Sequence, residues 1–587
     1  MSSLGTVLVA NRGEIALRII RGAHDRAMQA VAVYADGDRD ASFVSAADQA
    51  YSLSGTTASE TYLDAEKILT IAARSGANAI HPGYGFLAED ATFAQAVEDA
   101  GLTWIGPGAS SIAALGDKVQ ARNVAERVGV SPVPGTNEPL ASRAAAQDFI
   151  NQYDYPVVLK RADGGGGRGI SVIKTETDLD NFFSGRDEST LGGFFIEKFI
   201  ERGRHVETQC GRDRHGNFVV YSTRDCTVQR RHQKLIEEAP APFLTPETET
   251  ALFDASKKLF DGVDYVGLGT CEFMLDQDGS VYFLEVNPRL QVEHTVTEEV
   301  SGVDLVGQQF MIAEGKELTR PAPTRGHSFE LRITSEDPTS GFSPSLGSLS
   351  EVKWPTGPGV RIDTGVVAGD EIAPDFDSMI AKLIITGENR DHALRRARRA
   401  LAETSIQGVG TPIPLYQAIL DTAEFENLSI WTRWLEEQFL DTFLDGKKTS
   451  PSEPAAPSKA SELTHFAIEI DGRRHDLALP ANLFKGVGAD MPRPPQPLRS
   501  AKAAKGTEAA KGDPNLVSSP LQAIVVRICV TPGEEVTEDQ LVAVLESMKM
   551  EKYVHAPRAG TIEDILVATG DNVSPNQPLV KLAKEEQ

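Results

Sequence analysis

Glu546-Ser547-Met548-Lys549-Met550 takes its meaning from its flanks, which are two copies of one sequence unit. Pro520, Gly533, Val536, Gln540 and Leu545 recur as Pro557, Gly570, Val573, Gln577 and Leu582, each 37 positions later (557 − 520, and so on). Val525/Ile562, Ile528/Ile565 and Val530/Val567 keep the same shift and stay apolar. Self-similarity at a fixed period is a statement about fold. Each copy reads as short β-branched strands broken by a glycine turn, Pro532-Gly533-Glu534 in one and Thr569-Gly570-Asp571 in the other. Two such halves predict a small all-β flattened barrel or sandwich with pseudo-twofold symmetry over 516–584, with Lys549 in the turn that joins them. A lysine offered at the tip of a rigid scaffold suits enzymatic modification.

The remaining residues must supply something that acts on that lysine. A chain of 587 residues exceeds one core and predicts several domains. The formal charge of −26 argues against nucleic acid as a partner, because phosphate binding needs a basic footprint. Cys210, Cys226, Cys271 and Cys529 are scattered without CxxC spacing, which suits a reducing, cytoplasmic setting without structural zinc. No run of eighteen apolar residues occurs, so no membrane span is expected. Thr6-Val7-Leu8-Val9-Ala10 is a buried-strand pattern, too short for the apolar part of a signal peptide.

In chain order, a strand, a helical pattern and the strand Ala30–Tyr34 form a βαβ unit. Its loop, Asn11-Arg12-Gly13-Glu14, lies where open α/β sheets bind ligands. His81-Pro82-Gly83-Tyr84-Gly85-Phe86-Leu87 runs from a strand into a glycine-rich loop. Pro156–Lys160 is a strand ending in lysine, followed by Gly164–Gly169, which contains Gly165 and Gly166, and a second strand at Ile170–Ile173. Strand, glycine loop, strand is not a P-loop, which requires a helix and GKS/T. Consecutive glycines still let backbone N–H groups converge on phosphate oxygens, and Lys160 can neutralise them. Phe194–Phe199 reads as a strand able to present backbone to an adenine. Thr270–Met274 and Tyr282–Asn287 look like paired strands that place Glu272 and Glu285 among apolar neighbours. A divalent cation with oxygen ligands offsets the cost of burying such carboxylates, so Glu272, Glu285 and Asn287 are candidate Mg²⁺ ligands. The Arg- and Ala-rich helix near 390–403 reads as a solvated amphipathic helix, without a role. Ser450–Pro457 and about 489–514 are linker material around a strand-like island near 463–484, whose Asp471-Gly472 suggests a hairpin.

Lys118, Lys160, the glycine loop, Glu197-Lys198, Glu272 and Glu285-Val286-Asn287 together resemble an ATP-grasp nucleotide site. With Asn11–Ala16, His81–Leu87 and Gln291-Val292-Glu293-His294, residues 4 to about 445 are similar to biotin carboxylase. The repeat around Lys549 resembles the biotinyl/lipoyl carrier fold, with methionine flanks like those of the biotin version. The fused layout resembles the α subunit of a biotin-dependent acyl-CoA carboxylase. The resemblance implies an α/β multidomain chain: an N-terminal α/β (pre-ATP-grasp) domain at 1–115, an ATP-grasp domain at 116–320 and a biotin carboxylase C-terminal domain at 321–445. A linker at 446–515 and a biotinyl domain at 516–584 follow.

The same resemblance implies the reaction ATP + bicarbonate + biotinyl carrier → ADP + phosphate + carboxybiotinyl carrier. Lys118, Lys160, Gly165, Gly166, Glu197, Lys198, His205, Gln229 and His232 would bind ATP, and Mg²⁺ or Mn²⁺ would sit on Glu272, Glu285 and Asn287. Lys234, Arg289, Gln291, Val292 and Glu293 would hold bicarbonate, with Glu293 as general base. Arg332 would stabilise the enolate-like biotin oxygen, Tyr84 would line the biotin pocket, and Lys549 would carry biotin after a biotin protein ligase attaches it. The expected partner is a separate β carboxyltransferase using acetyl-, propionyl- or longer acyl-CoA, within a complex where this chain is a homo-oligomer. A 3-methylcrotonyl-CoA-type carboxylase shares the layout. About 25 flexible linker residues give a reach of roughly 25–30 Å, enough to shuttle a carrier. Three departures from the family pattern stand out: Pro288, Thr295, and Ser519-Pro520-Leu521 where Met-Pro-Gly is usual.

Overall fold

The computed structural model describes residues 4–448 except 137, 162–169, 185–193 and 232. It also describes strands Leu463–Ile470 and Arg473–Pro480, and residues 515–583 except 521–522, 548–549 and 574–576. Gly165, Gly166, His232 and Lys549 lie outside the described residues. The chain divides into two compact units, the larger made of most of residues 1–453 and the smaller of most of 454–587.

The larger unit opens with five parallel strands: β1 (Thr6–Val9), β2 (Gln29–Tyr34), β3 (Gln49–Ser52), β4 (Ala79–His81) and β5 (Thr103–Trp104). Val7, Leu8 and Val9 are wholly buried, as expected of a parallel strand covered on both faces. The order β3-β2-β1-β4-β5 reverses direction at β1, and the loops after β1 and β4 open at that switch point. Asn11 ties these loops together: its Nδ2 donates to the carbonyls of Pro82 (2.6 Å) and Tyr84 (2.8 Å). Gly83 adopts φ +66°, and a Cβ there would lie 2.9 Å from Asn11 Nδ2, so only glycine fits without displacing the tie.

Strands β6 (Val157–Arg161), β7 (Ile170–Ile173) and β8 (Phe194–Lys198) form a small antiparallel sheet with β6 central. The main sheet has eight strands. They are β9 (Arg204–Arg212), β10 (Phe218–Arg230), β11 (Gln233–Ala239), β12 (Gly267–Leu275), β13 (Val281–Asn287), β14 (His327–Thr334), Met379–Gly387 and Val360–Thr364. The spatial order is β13-β12-β9-β10-β11-β14, then Met379–Gly387, then Val360–Thr364. Because β11 pairs with β14, residues on both sides of position 320 share one sheet.

The helix Arg390–Glu403 is only half solvated. Ala393, Leu394, Ala397, Ala400 and Leu401 are buried, and Arg390 Nε donates to Glu238 Oε2 at 2.7 Å. The buried face is the one the amphipathic pattern implies; the Arg390–Glu238 pairing was not legible, because arginine stems bury readily while their heads seek carboxylates elsewhere in the fold.

The smaller unit carries the repeat into three dimensions. Ala523–Ile528 and Gly560–Ile565, Glu535–Val536 and Asn572–Val573, and Leu541–Ser547 and Pro578–Leu582 each begin 37 residues apart (560 − 523, 572 − 535, 578 − 541). They distribute into two four-stranded sheets, one copy of each in either sheet, around the buried Val525, Leu545, Ile562 and Leu582. Gly533 and Gly570 both take positive φ (+88° and +95°) at the repeated turn. Leu541–Ser547 pairs with Met550–His555, Ser547 opposite Met550. The island strands Leu463–Ile470 and Arg473–Pro480 pair with each other.

One buried charge pair dominates the main sheet. Arg224, with no exposed surface, donates through Nε to Glu207, and through Nη1 to Gln209 (2.7 Å) and Thr297 (2.9 Å). Removing one partner of such a pair costs about 3–5 kcal/mol. Arg224→Met is expected at the low end, about 3 kcal/mol, because Lys234 still faces Glu207. All four tryptophans lie between residues 104 and 434, so the shift of the urea midpoint of tryptophan fluorescence reads this unit.

Candidate active site

The centre of the site is an ammonium group. Lys234, on β11, donates from Nζ to Glu207 (2.6 Å), Glu293 (2.7 Å) and Glu272 (2.9 Å). The sheet register explains the convergence: Glu207 stands opposite Arg224 on one side and Glu272 on the other, and Glu272 stands opposite Glu285. Directly opposed residues point to the same face, so four charged side chains line up across β13, β12, β9 and β10. Glu293 bridges two cations, with Oε1 on Lys234 and Oε2 on Arg332 Nη2 at 2.8 Å. Arg332, on β14, also donates from Nε to Glu237 at 2.6 Å.

Glu272 is the second junction. Its Oε1 also accepts from Asn287 Nδ2 (2.8 Å) and Gln291 Nε2 (3.0 Å). His205 Nε2 lies 2.7 Å from Glu272 Oε2, close enough for an ion pair but not aligned as a hydrogen bond. Arg289 donates from Nη2 to Asn287 Oδ1 (2.9 Å), and its Nε is 2.9 Å from Glu89. Beside these, Lys118 pairs with Glu285 at 3.1 Å, and Lys160 pairs with Glu197. Lys382, wholly buried, donates to the carbonyl of Val292 (3.0 Å), lies 3.2 Å from Glu14, and sits 5.8 Å from the Tyr84 ring centre. Through Lys382 the first turn of the helix Gly13–His24 after β1 and the segment around Val292 meet.

The electrostatics follow from this geometry. Burial alone would push the Glu293 carboxyl up, but Lys234, Arg332 and Arg224 hold it well below the usual carboxylate range. Glu272 is lowered in the same way, with Lys234 and His205 overcoming its burial. Burial works against the Lys234 charge, yet Cys226, Glu207, Glu272 and Glu293 keep its pKa well above the ordinary value. Glu285 raises that of Lys118.

Among the expected site residues, Lys234, Glu272, Asn287, Arg289, Gln291, Glu293 and Arg332 thus share one hydrogen-bonded network, with His205 beside it. Gln229 is buried, stands opposite Lys234 in the β10–β11 register, and donates to the Cys226 carbonyl at 3.3 Å. Lys198 lies on β8, and its backbone N–H donates to Pro134 O at 2.8 Å. Asn287 spends its amide nitrogen on Glu272 and its oxygen on Arg289. Glu272 and Glu285, facing across β12 and β13, are hard oxygen donors on one face and fit a divalent cation. Sequence reading missed Glu207, Arg224, Glu237 and Lys382. Polar residues alternating through β9 (His205, Glu207, Gln209) were the available signal, since a buried strand seldom carries such a row without a task.

Four family models match the chain: the biotin carboxylase N-terminal domain at residues 3–112, the carbamoyl-phosphate synthase L chain ATP-binding domain at 117–320, the biotin carboxylase C-terminal domain at 330–437, and the biotin-requiring enzyme model at 515–582. A Mycobacterium leprae biotin-dependent acyl-coenzyme A carboxylase α3 subunit is 44% identical, with 99% of each chain covered. The chain belongs to the biotin-dependent acyl-CoA carboxylase α subunits. Biotin carboxylase 1 of Bacillus subtilis is 41% identical, covering 73% of this α subunit and 98% of itself. The solved biotin carboxylase–β,γ-ATP complex from Campylobacter jejuni matches with a TM-score of 0.69 at 37% identity, over 74% of the α subunit and 99% of that chain. The biotin carboxylase domain dimer of Hydrogenobacter thermophilus 2-oxoglutarate carboxylase, in complex with MgADP, ADP and bicarbonate, matches with a TM-score of 0.69 at 41% identity, over 74% and 98%. The α subunit is therefore a biotin carboxylase of the ATP-grasp type fused to a biotinyl domain, using ATP and biotin. Among the described residues, no helix is long and apolar enough to cross a membrane.

A testable consequence concerns acid stability. The folded-state pKa values of Glu272 and Glu293 are lowered, so their stabilisation is present above the unfolded carboxylate value of about 4.3 and is lost as pH falls through the folded values. Lys234→Met weakens the lowering, and acid unfolding followed by circular dichroism is expected to begin at higher pH than in the unaltered chain. Superimposable acid limbs would show that Lys234 does not hold these carboxylates ionised.

Proposed function

We propose that this α subunit carboxylates biotin attached to Lys549 of its own carrier domain, and passes the carboxyl group to a separate β carboxyltransferase acting on acetyl-, propionyl- or longer acyl-CoA. The observation that carries the first step is Glu293 bridging Lys234 and Arg332 through different oxygens. One carboxylate then faces both cations that an anionic substrate and a developing oxyanion require. The second step is supported by the α-subunit relative that matches nearly end to end.

In the free site, Glu293 is a weak base because two cations stabilise its charge. Bicarbonate entering between Lys234 and Arg289 competes for those cations, which frees Glu293 and raises its proton affinity at the moment a proton must be taken. Arg289, with a planar guanidinium, can bind bicarbonate bidentately, while Lys382 holds the Val292 backbone. Lys118 and Lys160, now paired with Glu285 and Glu197, are cations that nucleotide phosphates can recruit. Glu272 and Glu285, with Asn287 after a turn of its amide, would hold Mg²⁺ or Mn²⁺, which would neutralise phosphate charge when bound. Tyr84 would line the biotin site beside Arg332, and Arg332 would offer a guanidinium N–H to the biotin oxygen.

Buried free thiols at Cys210, Cys226 and Cys271 suit the cytoplasm. A biotin protein ligase is the proposed modifier of Lys549, and the dimeric Hydrogenobacter domain supports a homo-oligomer.

The test is bicarbonate-dependent ATP hydrolysis stimulated by free biotin, expected for the purified chain. ATP binding without such hydrolysis would reduce the larger unit to a scaffold. Lys549→Arg is expected to abolish carboxyl transfer to acyl-CoA by the α/β complex while the activity on free biotin persists. Loss of both would mean that the carrier and the carboxylase are not the independent parts proposed. Co-purifying the β partner and assaying acetyl-, propionyl- and long-chain acyl-CoA identifies the acceptor.

A further inference from the structure

Behind Arg332 lies a pair of carboxyl groups that the reaction above does not use. Glu237 on β11 and Glu330 on β14 are direct cross-strand partners, and neither has any exposed surface. Residues so opposed in an antiparallel pair have Cβ atoms roughly 4.5–5.5 Å apart. Each carboxyl spends one oxygen on a named partner: Glu237 Oε1 accepts from Arg332 Nε at 2.6 Å, and Glu330 Oε2 accepts from the Thr295 hydroxyl. The second oxygen of each, Glu237 Oε2 and Glu330 Oε1, is buried without a hydrogen-bond donor. Two ionised carboxylates there would repel each other and leave two acceptors unsatisfied. One proton removes the repulsion and supplies a donor, as in other carboxyl pairs that cannot both ionise.

The surroundings set the balance. Arg332 on β14, Lys382 on the neighbouring strand Met379–Gly387 and Lys234 on β11 favour the ionised forms, whereas Glu293 opposes them. Cys226 on the neighbouring β10 feels the Glu237 charge, and Tyr416 packs from the helix Ile413–Leu420, its hydroxyl donating to the Arg332 carbonyl at 2.6 Å. Burial outweighs the cations, raising Glu237 to about 8 and Glu330 to about 7, with Glu330 itself adding to the rise at Glu237. Coupled groups of this kind titrate as a unit.

We propose that Glu237 and Glu330 share one proton near neutral pH and that, through Glu237, this pair positions Arg332 and sets how much of its positive charge reaches the site. The inference rests on the reading of Arg332 as the group that stabilises the biotin oxygen. With one proton the pair carries a single negative charge, and the guanidinium keeps its pull on Glu293 and on substrate. As pH rises the proton leaves to solvent, the pair becomes doubly negative, and the guanidinium is neutralised from behind. Glu237 and Glu330 are positioning residues, since neither reaches the reacting atoms.

The experiment is the pH profile of biotin-dependent turnover by the full chain with free biotin. The unaltered chain is expected to lose kcat on the basic side with an apparent pKa near that of the pair. Glu330→Gln keeps shape, supplies an amide donor, and leaves a pair that never carries more than one negative charge. Its basic limb is expected to disappear, with neutral-pH kcat and the KM for ATP retained. Glu237→Gln, which removes the charged anchor of Arg332, is expected to lower kcat at all pH values without changing the KM for ATP. A Glu330→Gln profile that superimposes on the unaltered one overturns the proposal. Should that variant fail to fold, infrared difference spectra of the unaltered chain between about pH 6 and about pH 9 decide. A carboxylic-acid carbonyl band lost over that range supports the shared proton, and its absence overturns it. Arg332→Lys separates the two readings: abolished biotin-dependent turnover upholds the role of Arg332, whereas retained turnover overturns that role whatever the infrared band shows.

Discussion

The structure of the site depends on one buried ammonium. Lys234 Nζ is almost enclosed, and three carboxylates from three separate chain segments converge on it. Burying Glu207, Glu272 and Glu293 together without that charge would be prohibitive, and burying Lys234 without them equally so. Each therefore requires the others, and the requirement fixes how β9, β11, β12 and the segment before helix His294–Ser301 meet. Arg224 repeats the principle one strand away, holding the far side of Glu207.

Such an arrangement is poor as a source of stability, since hydrophobic residues of the same volume often serve as well. Its value is that the same charges are useful to an anionic substrate. In the proposed reaction, the cations held here by carboxylates are the ones that bicarbonate or phosphate would take over. Neutral partners would give Lys234 and Arg332 no such exchange.

The eight-stranded sheet is what allows this. The resemblance to biotin carboxylase separates 116–320 from 321–445, whereas β11 and β14 are adjacent strands. Arg332 reaches Glu293 and Glu237 only because of that adjacency. The consequence extends to Glu330, whose place opposite Glu237 cannot be seen without the register. The loops after β1 and β4 are likewise joined by Asn11, and to the central network by Lys382, a residue that looks like an ordinary strand lysine in sequence.

Much of the fold was legible. The 37-residue repeat announced the carrier barrel because two copies of one strand pattern fold alike, and the strands start 37 residues apart in space as in sequence. Parallel strands such as Val7–Val9 were legible from uninterrupted apolar residues, and the loop after β4 from Gly83 and Gly85, both at positive φ. Glu272, Glu285, Arg289 and Glu293 were singled out by sequence because their residue types and order match a known pattern. Glu207, Arg224, Glu237, Glu330 and Lys382 were not. Local sequence specifies which face of a strand a side chain occupies, through alternation with period two. Which other strand that face meets is decided by pairing across hundreds of residues, and only the tertiary structure contains it. Sequence determined the kind of machine and the modules it is made of; the tertiary structure decided which charges stand opposite one another, because electrostatic partnership is a property of distance in space rather than distance along the chain.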